Sequence, residues 1–122
     1  MRDNELKKLL PFYVDVLRLG DWRIGFRIVS PKEVRAVTEG SDNTLGYCRW
    51  NSFERVAEIF VLKHKDHKKL VESSVCSNCP TQEETMVHEL LHVVLHDYEA
   101  DTTRLEQVVN MLAPQITKLR KG

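Results

Sequence analysis

His88-Glu89-Leu90-Leu91-His92 sets two imidazoles four residues apart with a carboxylate between them. An α-helix has about 3.6 residues per turn, so these histidines lie one turn apart on one face and can reach a single metal ion at roughly 2 Å. Glu89 then sits beside the ion without binding it, where a general base must be to take a proton from a metal-activated water. Met86, Val87, Leu90, Leu91, Val93, Val94 and Leu95 make the segment apolar on most sides. It reads as a buried helix whose histidines are its unusual polar members. The plainer alternative is a buried helix whose two histidines are satisfied by hydrogen bonds alone.

Two histidines do not complete a catalytic zinc site, which takes three protein ligands and leaves a position open. The downstream donors are His96, Tyr98, Glu99, Asp101 and Glu106. His96 would lie about 12 Å along a straight helix from His88, too far to share its ion. Glu106 is the best placed, on a predicted helix Thr103–Leu112 behind a turn at Asp97–Thr102 that can fold it back. Glu99 and Asp101 are the alternatives. Thr103-Arg104-Leu105-Glu106 also matches a capping box, which would turn Glu106 to its own backbone. Asn110 shares the face of Glu106. Its amide either hydrogen-bonds a ligand such as His92 or Glu106, or lies exposed.

The elements that must position these residues follow from periodicity. Leu6, Leu9, Leu10, Tyr13, Val14 and Leu17 predict a helix over 3–19, with Pro11 as a start or kink and Gly20 as the stop. Trp22, Ile24, Phe26 and Ile28 alternate as in a half-buried strand. Val34–Thr38 reads as a short second strand, Leu45–Trp50 as another, and Val56–Leu62 as a further one, placed at the sheet's upper edge. His64–Glu72 is charged and helical. Thr81–Glu84 is a capping box for the His88–His92 helix, which runs to about His96. Pro114 kinks the next helix or starts a last short one to Lys121. The expected fold is α+β: a small, mostly antiparallel sheet of three to four strands, an N-terminal helix, the motif helix and a C-terminal ligand-bearing helix.

The 122 residues suffice for one domain, 1–122, with 18 basic and 18 acidic side chains. That balance excludes a nucleic-acid or membrane-surface role driven by bulk charge. The basic run Lys63–Lys69 reads as a solvated helix face. His64 and His67 within it lack a nearby third ligand. No apolar run is long enough for a signal core or a membrane span, so a soluble cytoplasmic protein is expected, with no nucleic-acid or membrane partner. The sequence does not set the oligomeric state. Cys48, Cys76 and Cys79 are too few for a disulfide scaffold, and Cys48 reads as a core residue.

The motif at His88–His92, followed by Leu105-Glu106-Gln107-Val108-Val109-Asn110-Met111-Leu112-Ala113, resembles the gluzincin pattern of zinc metallopeptidases. It is similar in particular to minigluzincins and small phage and bacterial metallopeptidase-like proteins, in which a small sheet precedes two metal-binding helices. Trp22–Ile28 and Ala57–Val61 look like their strands. The resemblance covers about the last third of the chain. It implies Zn2+ as cofactor, His88, His92 and Glu106 as ligands, Glu89 as general base and a protein or peptide substrate. Asn110 departs from the aspartate common in larger gluzincins. Donors for a developing oxyanion would come from Tyr47, His64, His67, Tyr98 or Arg104, and the Val56–Leu62 edge could bind an extended peptide.

Two other zinc chemistries compete. Cys76-x-x-Cys79 with His88-x-x-x-His92 could form a structural zinc site in a binding module, or one cysteine could cap the open position of a catalytic ion. A non-peptide zinc hydrolase is the other. The pattern of small RNA-processing hydrolases, His-Gly-x-Leu-His with a later histidine, fails here at Glu89 and Tyr98.

Overall fold

The computed structural model describes residues 3–37, 44–73, 80–96 and 102–121. The first apolar stripe forms helix α1, Asp3–Val16, with Leu6 and Tyr13 fully buried and Pro11 inside it. Arg18 ends this helix. It takes the left-handed conformation at φ 58°, while its N–H donates to the Asp15 carbonyl at 3.0 Å and that of Leu19 to Val14 at 2.8 Å. These two bonds form a Schellman motif, and buried Leu19 supplies the apolar contact that accompanies one. Gly20, expected as the stop, comes two residues too late to make the turn.

Strand β1, Arg23–Val29, follows as expected. The segment after it does not. Pro31–Val37 is helix α2, not the strand expected at Val34–Thr38. Ser30 Oγ accepts from the Glu33 N–H at 3.3 Å, and the Glu33 carboxylate accepts from the Ser30 N–H at 3.4 Å. With Pro31 in the first turn, this is a capping box that overrides the β-branched valines.

Strands β2, Gly46–Asn51, and β3, Val56–Leu62, form a hairpin. The Asn51 side chain accepts from the N–H groups of Phe53 and Glu54 in its turn, and Arg55 closes the turn at φ 55°. The sheet order is β1-β3-β2, with β1 parallel and β2 antiparallel to β3. The sheet is therefore mixed rather than mostly antiparallel, and β3 is central rather than an edge. The cause is the path of the chain: α2 lies between β1 and β2, which stand at opposite edges, and the hairpin returns β3 to the slot between them. A central strand covered on both faces needs apolar residues on both, and Ile59–Leu62 are all buried.

Helices α3, His64–Ser73, α4, Gln82–Val94, and α5, Thr102–Lys121, complete the chain. Pro114 lies within one continuous α5. Ala57, Ile59, Val61 and Cys48 face a core shared with Leu6, Tyr13, Met86, Leu90, Val109 and Ala113 of α1, α4 and α5. Val29, Phe60 and Leu62 face a smaller core with Val34 of α2 and Leu70 of α3. This α+β arrangement is consistent with a minimal zincin-like layout. Among the described residues, no helix is long and apolar enough to cross a membrane.

Two polar links join the helices. Buried Glu83 of α4 accepts from both Arg120 nitrogens, Nε at 2.5 Å and Nη2 at 2.8 Å, and from the Tyr13 hydroxyl of α1. Burial would raise the Glu83 carboxyl, but the Arg120 and Tyr13 hydrogen bonds hold it below its ordinary value. On α3, the His67 ring is buried with Nε2 2.8 Å from Thr85 Oγ1. The Thr85 hydroxyl spends its one proton on the Thr81 carbonyl at 3.0 Å, so His67 Nε2–H is the donor.

Arg18→Gly is expected to stabilise the protein by about 0.5–1 kcal/mol, by relieving a side chain in the left-handed region. Urea unfolding of the two proteins measures this. Burial, then the charge of His64, lowers His67 from 6.5 to about 4. Below its ordinary value the unfolded chain binds a proton that the folded chain does not. Stability is thus complete above about pH 6.5 and falls by roughly 2–3 kcal/mol as pH drops towards 4. His67→Gln should flatten that slope in unfolding curves taken between pH 4 and 7.

Candidate metal centre

Helix α4 begins where the capping box predicts. Thr81 is its N-cap and its hydroxyl accepts from the Glu84 N–H at 3.1 Å. From there one face of α4 carries Thr85, His88, Glu89 and His92 into a cleft of about 1090 Å³, walled opposite by β2 and at the side by α5. The helix is otherwise buried, so its polar residues are directed by their partners.

The structure brings Glu106 to the two histidines. Its carboxylate lies 3.4 Å from His88 Nε2 and 2.6 Å from His92 Nε2, and the two Nε2 atoms are 3.3 Å apart. The three ligand atoms are all within 4.8 Å of one another, so this His/His/Glu cluster could hold a metal ion. Donors held tetrahedrally at about 2.0–2.1 Å from zinc are about 3.3 Å apart. The two imidazole nitrogens already have that span, and each has a different Glu106 oxygen beside it, Oε2 at His88 and Oε1 at His92. The donor chemistry, two imidazoles and a carboxylate, suits zinc. Burial lowers His88, which favours the neutral, ligating imidazole. Its hydrogen bond with Asn110, exposed and one turn after Glu106, gives that residue a partner among the histidines, namely His88.

Glu89 is 7% exposed and lines the same cleft. Burial first, then the charge of Glu106, pushes its carboxyl up to about 8, while a hydrogen bond with Cys48 acts in the opposite sense. Cys48 and Gly46 were not legible as site residues. Both lie on the face of β2 that packs on α4, and a Cβ on Gly46 would stand 2.8 Å from Thr85 Cγ2, 2.8 Å from the Phe60 carbonyl and 3.4 Å from Glu89 Cγ. The absent side chain is what lets β2 approach the helix at the level of Glu89.

The remaining candidates fall elsewhere. His96 donates Nδ1–H to the Val93 carbonyl at 2.8 Å and packs edge-on to Trp22. His64 is exposed and His67 is buried against Thr85, outside the cleft. Tyr47 borders the cleft, but its ring lies beside Phe60 on the opposite face of the sheet. Arg104 is exposed and does not line the cleft. Tyr98, Glu99, Asp101, Cys76 and Cys79 lie outside the described residues.

Gly46→Ala should cost about 1–3 kcal/mol, because the Phe60 carbonyl is backbone and cannot swing aside. Thermal unfolding checks this, and an unchanged melting temperature would mean that the strand is not seated on Thr85 as described. Comparison with protein-family models, with curated proteins and with solved structures finds no match, so the meaning of the site rests on its own geometry.

Proposed function

We propose that the chain is a single-domain zinc metallopeptidase, residues 1–122, of gluzincin type. His88, His92 and Glu106 hold the zinc, Glu89 is the general base and Asn110 orients His88. The observation that carries this reading is the convergence of three ligand atoms beside a buried carboxylate, at the floor of a cleft open to solvent. A zinc ion there would polarise a carbonyl and lower the pKa of water towards about 7.

The chain's own residues supply the rest. Glu89 takes a proton from the attacking water and delivers it to the leaving amine. Its burial shields the carboxylate from bulk water and raises its affinity for that proton. Strand β2 borders the cleft, and its edge away from β3 is unpaired among the described residues. An extended peptide added to that edge would lie across the site, which favours a protein or peptide substrate. This role passes from β3, whose edges are both taken, to β2.

Zinc per chain and peptide hydrolysis should be measured for the wild type and four variants. Wild type should bind about one zinc. Glu89→Gln should keep the metal and lose about 10²–10⁴-fold in turnover. Glu106→Ala should lose the metal, and Cys76→Ser/Cys79→Ser should lose nothing. Metal lost in the cysteine variant and kept in Glu106→Ala would instead make the zinc structural and end the peptidase reading.

A further inference from the structure

Along α5, Glu106, Asn110, Ala113, Thr117 and Arg120 are spaced alternately by four and three residues, beside the buried Leu105 and Val109 that share the core with α4. Such spacing makes one continuous seam on a helix. Its two ends are polar and bonded to α4: Glu106 to the histidine pair, Arg120 to Glu83. Its middle is small and smooth. Ala113 and Thr117 are both 3% exposed, and the Thr117 hydroxyl is spent on the Pro114 carbonyl of its own helix at 2.8 Å.

The apolar packing beside this row is non-directional, so it limits the slide of one helix along the other less sharply than a directed bond does. Yet metal ligands must be right to about 0.2 Å. A slip of α5 by one residue would move Glu106 about 1.5 Å and turn it about 100°. A directed contact far from the site would hold that register more sharply than packing alone.

We infer that the pair of buried Glu83 and partly exposed Arg120, braced by Tyr13 of α1, is the register pin that places Glu106 against His88 and His92. The pair suits this role. Arg120 bonds both carboxylate oxygens with two nitrogens, a planar geometry that is lost on small rotations or shifts. It stands fourteen residues from Glu106, about 21 Å along the helix, so the two contacts together fix both translation and rotation. The hydroxyl of Tyr13 completes the Glu83 carboxylate, so α1 helps to hold it in place. Glu83 and Arg120 are thus positioning residues, acting on the metal through Glu106. The inference rests on the metal-site reading above.

The test compares zinc dissociation constants, by competition with a chelator, for wild type, Arg120→Lys and Glu83→Leu/Arg120→Met, each at a temperature where circular dichroism shows it folded. The apolar pair fills the space of buried Glu83 and partly exposed Arg120 but has no direction, and it leaves the Tyr13 hydroxyl without its acceptor, so its folding is checked first. Its zinc affinity should fall by at least about tenfold, and Arg120→Lys, which keeps the charge and loses the fork, should fall by less. A purely structural pair would change melting temperature and leave zinc affinity on the folded protein alone. If the apolar pair does not fold, Arg120→Lys decides by the same criterion. Wild-type binding that disappears in Glu106→Ala but is unchanged in Arg120→Lys overturns the pin alone. A wild type that binds no zinc overturns the metal site and the pin with it.

Discussion

A buried helix cannot leave its polar side chains without partners, and α4 is buried on nearly every side while carrying Gln82, Glu83, Thr85, His88, Glu89 and His92. Desolvating such groups unpaired would cost several kcal/mol in all. Each is answered from a different direction. Gln82 donates to the Leu62 carbonyl of β3 at 2.8 Å, Glu83 takes Arg120 and Tyr13, and Thr85 takes His67. Glu89 meets Cys48, and the histidines meet Glu106 and Asn110. The polar residues that cost α4 most in isolation are the ones that fix where α1, α3, α5 and the sheet must sit. Apolar burial gives the helix its depth, and these bonds give it its orientation.

The motif was legible because its information is local. The spacing of His88 and His92, the capping box at Thr81 and the alternation in β1 each depend on residues within one or two turns. Glu106 could be named from the sequence because a helix folded back after a short turn has few places to put a carboxylate. The sheet was not legible in the same way. The capping box at Ser30–Glu33 competes with the β-branched valines after it, and a strand in place of α2 would make the connection from β1 a simple turn. Missing the crossover hid both the parallel pairing and the central place of β3. The run of four buried residues at Ile59–Leu62 was the available signal, since an edge strand with one wet face would alternate.

What no local pattern could give are the contacts between residues far apart. Glu83 and Arg120 are separated by 37 positions, Cys48 and Glu89 by 41, and neither pair has a spacing that marks it. Gly46 is similar: in the sequence it is a turn-former near a strand start, and only the packed structure reveals Thr85 and Glu89 beneath it. Such residues are specified by the shape of the space between elements, which exists only after folding.

The electrostatics of the cleft tie these threads to the proposed chemistry. Glu89 is buried while Glu106 is half exposed at the cleft, and the charge of Glu106 adds to burial in raising Glu89. A cation held by His88, His92 and Glu106 would reverse that Coulombic contribution, because the charge facing Glu89 would change from negative to positive. That would favour the ionised carboxylate, the form that accepts a proton from water. Cys48 pushes in the same direction by hydrogen-bonding the ionised form. The same burial that makes the carboxylate costly to ionise thus leaves it responsive to an ion placed beside it, and the placement depends on how α5 is seated against α4.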